Sequence, residues 1–219
     1  MPIAALVDYS LTMSLPARTT ADTGIDALTH AIESYVSKKA SPYTQSQSIG
    51  AIKLLAPNLR RVYQDGSDER AREAMMLGST LAGIAFSNAS VALVHGMSRP
   101  IGAFFHVPHG LSNAMLLPSV TAYSIQGAPE LYADCAVAMG VASALDSIDD
   151  ANNKLIEELY RINECLQVPT LKDFGVDKAT FMKVVNTMCE QAIASGSPNN
   201  NPKVPDLNDI KTIYLGLWD

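Results

Sequence analysis

The sequence predicts a mostly α-helical domain with one short strand at its front. Apolar residues recur at helical spacing along most of the 219 residues. A short apolar run of the kind that forms a strand occurs only near the start. No internal repeat is present, and only one stretch is biased in composition. These observations together favour a single helical architecture.

The strand is predicted at residues 3–7, an apolar run that ends at the turn-prone Asp8-Tyr9-Ser10. An irregular segment is expected to continue through Pro16. Helical periodicity begins only near Thr23. The chain is therefore divided into residues 1–22, a strand and linker, and residues 23–219, a helical domain.

The first two helices are delimited by turn signals. The first is expected from about Thr23 and closes at Lys38-Lys39, before the Ser41-Pro42 break. The second is expected from about Thr44 to Tyr63, bent near Pro57, because the turn pair Asp65-Gly66 follows.

A third helix is expected to be capped by Ser67 or Asp68. Its predicted inward face consists of Met75, Met76, Leu81, Ile84 and Phe86. Its many Gly, Ala and Ser residues would let a neighbour approach closely, which predicts a buried central helix.

Periodicity and turn signals also predict the later elements. An apolar segment is expected to run through His95, followed by a connector interrupted at Pro100–Gly102 and a new helix at Pro108, where proline suits the first turn. Further helices are expected at about residues 129–139, 150–167, 177–194 and 206–217. The polar segment 195–202 is expected to be a surface loop.

Composition limits the possible functions. With 47% hydrophobic residues the chain can bury a substantial core, and its net charge of −6 with scattered basic residues argues against nucleic-acid binding. The three cysteines form no Cys-x-x-Cys pair, which argues against a disulfide framework or a thiolate zinc site. No secretory signal and no run of about 20 apolar residues is found, so we expect a cytoplasmic protein without a membrane span.

Three of the four histidines, with one aspartate, have spacings that suit a metal site. Asp26 and His30 are four residues apart, so on a helix both side chains point from the same face. His95 ends an apolar run, and His109 follows Pro108 at a helix start. Taken singly, each has an ordinary alternative. Asp26 can serve the helix dipole, His30 can be an ordinary surface or core histidine, His95 can be a core histidine, and His109 can be an exposed loop residue.

The joint pattern favours a particular class of ion. Three imidazoles and one carboxylate suit Fe²⁺, Zn²⁺, Co²⁺ or Ni²⁺, whereas Ca²⁺ and Mg²⁺ prefer shells made of oxygen alone. A site of this kind with one open position can polarise an alcohol or a carbonyl. Spacing alone leaves open both a metal site and coincidence.

Two long motifs carry a resemblance to a known family. Residues 24–37 (GIDALTHAIESYVS) closely resemble the signature of the iron-containing alcohol dehydrogenases. Residues 82–89 (AGIAFSNA), 95–97 (HGM) and 108–118 (PHGLSNAMLLP) resemble the second long motif of that family. The resemblance implies the helical bundle domain of the dehydroquinate synthase-like and iron alcohol dehydrogenase fold.

The resemblance also implies roles for individual residues. In that family one Asp and three His hold the catalytic metal, here Asp26, His30, His95 and His109, and the ion would be Fe²⁺ or Zn²⁺. Many members carry a further histidine where this chain has Arg99. Because arginine does not release a proton at neutral pH, a proton relay is in doubt there, and Arg99 either steers an anionic substrate or is a solvated charge. His106 is either a residue near the substrate or an exposed connector histidine.

Members of the family are two-domain enzymes, and this chain resembles only the metal-binding half. None of its thirteen glycines forms a phosphate-binding cluster, and residues 1–22 resemble the end of the absent nucleotide-binding domain. The complete enzyme would transfer hydride between a primary alcohol or aldehyde and NAD(P), with the metal polarising the substrate oxygen. We expect the chain alone to be nearly inactive. Its expected partners are the small substrate and either the missing domain or a second copy of the chain in a homodimer.

Two other functions fit the same residues. The chain could be a non-catalytic metal-binding or assembly module derived from this family, for which a large exposed apolar area would be the sign. It could also be a relative without redox chemistry, as the dehydroquinate synthase-like group shows, since a fold does not determine a function.

Overall fold

The computed structural model describes residues 3–218, and the regular structure in that range is entirely helical. The nine α-helices found there are α1 (Ala17–Val36), α2 (Pro42–Gln64), α3 (Glu69–Ala89), α4 (Leu93–Phe105), α5 (His109–Ser124), α6 (Pro129–Ala138), α7 (Ile148–Cys165), α8 (Lys178–Ala194) and α9 (Leu207–Gly216). Short 3-10 turns lie at Tyr9–Thr12, Ile125–Gly127 and Ser197–Asn200. Within residues 3–218 no single helix is long and apolar enough to cross a membrane, although the sharply bent pair α3 and α4 reaches that length together.

Helix α1 lies at the centre of the bundle. It packs against α2 and α3 on one side and against α5 on the other. Ile25, Leu28 and Ile32 on its apolar stripe are at most 1% exposed. Helix α4 packs between α5 and α8, and the pair α6 and α7 covers α5 and α2. The polar residues of α1 therefore lie where α1, α4 and α5 meet.

The predicted strand at residues 3–7 is wrong, because the structure shows no regular element there and Ile3 and Leu6 are fully exposed. A strand is stabilised by a neighbour that accepts and donates its ladder hydrogen bonds. No extended segment pairs with residues 3–7 in the described part of the chain. Helix α1 also begins at Ala17 rather than near Thr23. Threonines in its first turns do not stop it, since the Thr23 hydroxyl donates to the Thr19 carbonyl one turn earlier at 2.8 Å.

Helices α2 and α3 form the closest pair, but a different face of α3 points inward than the one predicted. Met75, Met76, Leu81 and Phe86 are only partly buried and Ile84 is exposed. The buried residues of α3 include Ala71, Gly78, Ala82 and Ala85. A Cβ at Gly78 would lie 2.8 Å from Leu55 Cγ of α2, so small residues are what admit the neighbour. The predicted close approach is therefore confirmed. The prediction of a buried central helix is wrong, because most of α3 is not buried, and of its predicted inward face only Met75 and Leu81 pack against the core.

Helix α4 runs through the region that the sequence assigned to a connector at residues 100–102. Pro100 lies inside the helix, which ends only at His106 in the left-handed conformation with φ 56°. An interior proline costs about 3 kcal/mol. Burial of Leu93, Met97 and Ile101, each fully buried, contributes roughly 1.5–3 kcal/mol apiece. Packing therefore outweighs the helix-breaking tendency of proline.

The polar segment 195–202 was expected at the surface but is largely buried. Ser197–Asn200 forms a 3-10 turn, and Pro198 packs against Gly96 of α4. The Asn200 amide donates to the Ser90 hydroxyl at 3.1 Å and to the Val91 carbonyl at 2.9 Å. The polar side chains of this segment thus pair with groups at the junction of α3 and α4, which explains their burial.

The other predicted ends agree closely with the structure. Helix α2 ends at Gln64, just before Asp65, and Asp68 caps α3 by accepting the Ala71 amide at 3.0 Å. Helices α6, α7, α8 and α9 begin and end within about two residues of the predicted ranges, a normal uncertainty for helix ends.

Candidate metal centre

Helix α1 presents Asp26 and His30 on one face, one turn apart. The His30 Nε2 atom lies 3.7 Å from Asp26 Oδ1. Both side chains are partly exposed, at 24% for Asp26 and 17% for His30, while the opposite side of the helix is in the core. The predicted geometry of this pair is present, and both side chains face the junction with α4 and α5.

Helix α4 contributes His95 from its first turn, and Glu33 of α1 holds it there. His95 Nδ1 lies 2.6 Å from Glu33 Oε2, and because a carboxylate only accepts, His95 donates. Glu33 also accepts the backbone amides of Ala92 at 2.9 Å and Val94 at 2.5 Å. A negative charge is favourable at a helix N-terminus. This buried carboxylate therefore both caps α4 and turns His95 Nε2 toward Asp26 Oδ1, 3.4 Å away.

Helix α5 contributes His109, its first residue. Pro108 occupies the position before it, and His109 Nε2 lies 3.6 Å from Asp26 Oδ1. Gly110 lets this turn touch α1, since a Cβ there would lie 2.6 Å from the carbonyl carbon of Asp22. The backbone of α5 consequently approaches α1 one turn before Asp26.

The four predicted ligands converge in space. Ligand atoms of Asp26, His95 and His109 all lie within 4.8 Å of one another. The His30 ring stacks on the His95 ring with centroids 4.1 Å apart, and on Phe86 at the same distance. Three helices thus bring three imidazoles and one carboxylate to one place.

Asn113 is the second residue in this centre, after Glu33, that the sequence analysis missed. It is fully buried, one helical turn after His109. Its Nδ2 atom donates to Asp26 Oδ1 at 2.5 Å and lies 3.2 Å from His95 Nε2 and 3.3 Å from His109 Nε2. Its Oδ1 has no hydrogen-bond partner. The i,i+4 spacing from His109 within an apolar helix was the available signal.

The charges at the centre fit a bound cation. Burial lowers the pKa of His30 to about 4, with the nearby His95 as the next cause, and burial also lowers the pKa of His109. Burial alone would lower the pKa of His95, but the carboxylates of Glu33 and Asp26 outweigh it and raise that pKa to about 9. The carboxylates of Glu33 and Asp26 therefore favour positive charge at these ligand atoms. A nitrogen-rich donor set with one carboxylate suits Fe²⁺ or Zn²⁺.

A cleft of about 560 Å³ opens beside these ligands. Its lining consists of His30, Lys39, Phe86, Ser87, Asn88, Ser90, Val91, His95, Arg99 and His109. Arg99 therefore lies beside the centre. His106 is exposed and lines a separate cavity of about 220 Å³ with Phe104, Phe174 and Asp177. The structure brings Arg99 but not His106 into the cleft.

Comparison of the sequence with known proteins identifies a family and similar relatives. The model of the Fe-containing alcohol dehydrogenase family, C-terminal, matches residues 20–218. The chain is 40% identical to a 1,3-propanediol dehydrogenase of Klebsiella pneumoniae over 98% of its own length and 54% of the relative. It is 42% identical to long-chain-alcohol dehydrogenase 1 of Geobacillus thermodenitrificans (strain NG80-2), covering 96% of the chain and 53% of the relative.

A solved structure shows the same fold. The crystal structure of a 1,3-propanediol oxidoreductase superposes with a TM-score of 0.91 at 39% identity, covering 96% of this chain and 55% of the other. The chain thus spans about half the length of these two relatives.

Proposed function

The chain belongs to the iron-containing alcohol dehydrogenase family, and on that premise we propose that it is the metal-binding catalytic domain of such an enzyme. Asp26, His30, His95 and His109 would hold Fe²⁺ or Zn²⁺. The observation that supports this most is that the Nε2 atoms of His30, His95 and His109 lie 3.7, 3.4 and 3.6 Å from Asp26 Oδ1. Such an ion acts as a Lewis acid on an alcohol or aldehyde oxygen.

The residues of the chain perform the positioning. Glu33 keeps the Nδ1 proton of His95 in place, so that the Nε2 lone pair faces the centre. Asn113 donates to Asp26 and fixes the direction of that carboxylate. His30 packs between His95 and Phe86, which restricts its ring. The cleft beside them would orient the reacting carbon toward NAD(P), which a nucleotide-binding domain would hold.

The ligand assignment is tested by metal content. We expect His95→Ala to abolish stoichiometric Fe²⁺ or Zn²⁺, measured by elemental analysis of anaerobically purified protein, while far-UV circular dichroism shows retained helix. His106→Ala is the matched control, because His106 lies in another cavity, and it should keep the metal. Unchanged metal content in His95→Ala would contradict the assignment.

A non-catalytic metal-binding or assembly module is the competing function. One observation favours it, namely the exposed apolar residues Ile3, Leu6 and Leu11 at the N-terminus. A fusion of the chain to the nucleotide-binding half of the Klebsiella pneumoniae 1,3-propanediol dehydrogenase distinguishes the two. For a catalytic domain we expect NAD(P)-dependent alcohol oxidation by the metal-loaded fusion and little by the chain alone. A folded, metal-loaded fusion without turnover would support the module.

A further inference from the structure

The cleft beside the metal centre contains two cations and no carboxylate in its lining. We propose that it takes an alcohol or aldehyde that also carries an anionic group, such as a carboxylate, and that Lys39 and Arg99 bind this anion. This inference rests on the proposed function, because it assigns the substrate class of the same site.

Arg99 is placed by the helix that carries His95. The two residues are four apart on α4, so their side chains leave the same face. Arg99 is exposed, and it lines the cleft together with His30, His95 and His109. The guanidinium is therefore within electrostatic reach of the ligands. Its planar fork suits a carboxylate, which it can bind through two parallel hydrogen bonds.

Lys39 enters the cleft from the segment after α1. Its amide donates to the Ser37 hydroxyl at 3.1 Å, and that hydroxyl donates to the Ala89 carbonyl at the end of α3 at 2.7 Å. The neighbouring Lys38 amide donates to the Asn200 carbonyl at 2.8 Å. The backbone that carries Lys39 is thus tied to two other parts of the fold. Its position beside the cleft is defined by these contacts.

Neither cation forms an ion pair with another residue of the described range. Among residues 3–218, no carboxylate lies within ion-pairing distance of Lys39 or Arg99. The chain as a whole has a net charge of −6, so a cleft lined by two cations departs from the general surface. Cations that line a cleft raise the local concentration of anions. Ser87, Asn88 and Ser90 add neutral hydrogen-bonding groups to the lining of the cleft.

A plain alcohol would not use these charges. Its hydroxyl would lie at the metal and its apolar end against Phe86 or Val91, leaving both cations in water. A molecule with a second, anionic end would reach the cations while its hydroxyl lies at the metal. The phosphates of a dinucleotide are the other source of negative charge, and binding of ADP-ribose separates that source from the substrate.

The test compares two ligands that differ at one end. The Zn²⁺-loaded chain is titrated with 3-hydroxypropanoate and with 1,3-propanediol at low ionic strength, and chemical shifts of the ¹⁵N-labelled protein report both affinities. We expect the acid to bind about tenfold more tightly, since ion pairs that are partly exposed contribute modestly. The ratio should fall as salt screens the charges.

Three variants locate the effect. Lys39→Gln and Arg99→Gln should each reduce the ratio of the two affinities, and the double variant should bring it close to one. Lys38→Gln is the matched control, because Lys38 is exposed outside the cleft, and it should leave the ratio unchanged. Equal affinities in the unaltered chain, or a ratio that survives in the double variant, would overturn the proposal. Weaker ADP-ribose binding in the variants, with the acid preference intact, would also overturn it and assign the cations to the dinucleotide.

Failure of the proposed function gives a different result. A chain that takes up no Zn²⁺ would contradict the metal centre, whatever the two ligands do. In that case, loss of 3-hydroxypropanoate binding in the two glutamine variants would still support the proposal that Lys39 and Arg99 bind an anion. Normal metal uptake with no preference for the acid would contradict only the anion site.

Discussion

At the residue scale, Glu33 shows how one buried group can serve both folding and a metal ligand. Its carboxylate is 5% exposed and accepts three hydrogen bonds, two from backbone amides at the start of α4 and one from His95. Removal of the Glu33 carboxylate would leave buried donors without an acceptor, whereas the three hydrogen bonds together stabilise the junction of α1 and α4. A carboxylate that holds a histidine ligand also tunes the affinity of the site for its metal.

Replacement of Glu33 by glutamine tests this double role. An amide offers only one acceptor oxygen, and its NH₂ group would face a donor. We therefore expect Glu33→Gln to weaken metal binding about 10- to 100-fold and to lower the free energy of unfolding by roughly 1–3 kcal/mol. Competition with a chelator measures the first quantity, and urea denaturation measures the second.

Glu157→Gln, on the exposed face of α7, is the control and should change neither quantity. A Glu33→Gln protein that loses stability but keeps its metal affinity would limit Glu33 to a structural role.

At the element scale, close contacts between helices set the positions of the ligands. Helix α5 touches the backbone of α1 at Gly110, one residue after His109 and one turn before Asp26. Any side chain at Gly110 would push the two helices apart. Because helices move as rigid units, the displacement would reach both ligands.

Gly110→Ala is expected to destabilise the protein by on the order of 1–3 kcal/mol, because the new methyl group overlaps the Asp22 backbone. Metal affinity should fall by at least about tenfold, because displaced ligand atoms no longer match the coordination geometry of the ion. Thermal unfolding and metal titration measure the two effects.

Gly83→Ala in α3 is the matched control. No atom lies within 4 Å of a Cβ at Gly83, so this change should stabilise the helix by about 0.5–1 kcal/mol. If both alanine variants behaved alike, the close approach of α1 and α5 would not control the centre.

At the scale of the whole molecule, a metal ion would connect α1, α4 and α5 at their common junction. A ligand that binds only the folded state stabilises it by mass action, by about 2.7 kcal/mol at a concentration one hundred times its Kd. We expect Zn²⁺ at that excess to raise the Tm by roughly 5–10 °C for a chain of this size.

Differential scanning fluorimetry with and without EDTA measures this shift. Asp26→Asn should abolish it, because the only carboxylate among the predicted ligands is lost. A Tm that does not respond to Zn²⁺ in the unaltered chain would argue against the centre.

Features that depend on local geometry could be predicted from the amino-acid sequence. Helical periodicity located most helices, and the i,i+4 spacing placed Asp26 and His30 on one face, because an α-helix fixes that relation whatever surrounds it. The two motifs identified the family, which the comparisons confirmed. The strand at residues 3–7 failed because an apolar run does not say whether a partner strand exists.

Tertiary structure alone decided the contacts between distant residues. Glu33 and His95 are 62 residues apart, and Asp26 and Asn113 are 87 apart. These contacts depend on how three helices pack. The inward face of α3 also depends on packing, because its small residues allow a close approach and are not the most hydrophobic ones of the helix. Packing also brings both Lys39 and Arg99 to the lining of one cleft. Periodicity specifies which residues share a face of one helix, but the free energy of packing many helices together selects which faces meet.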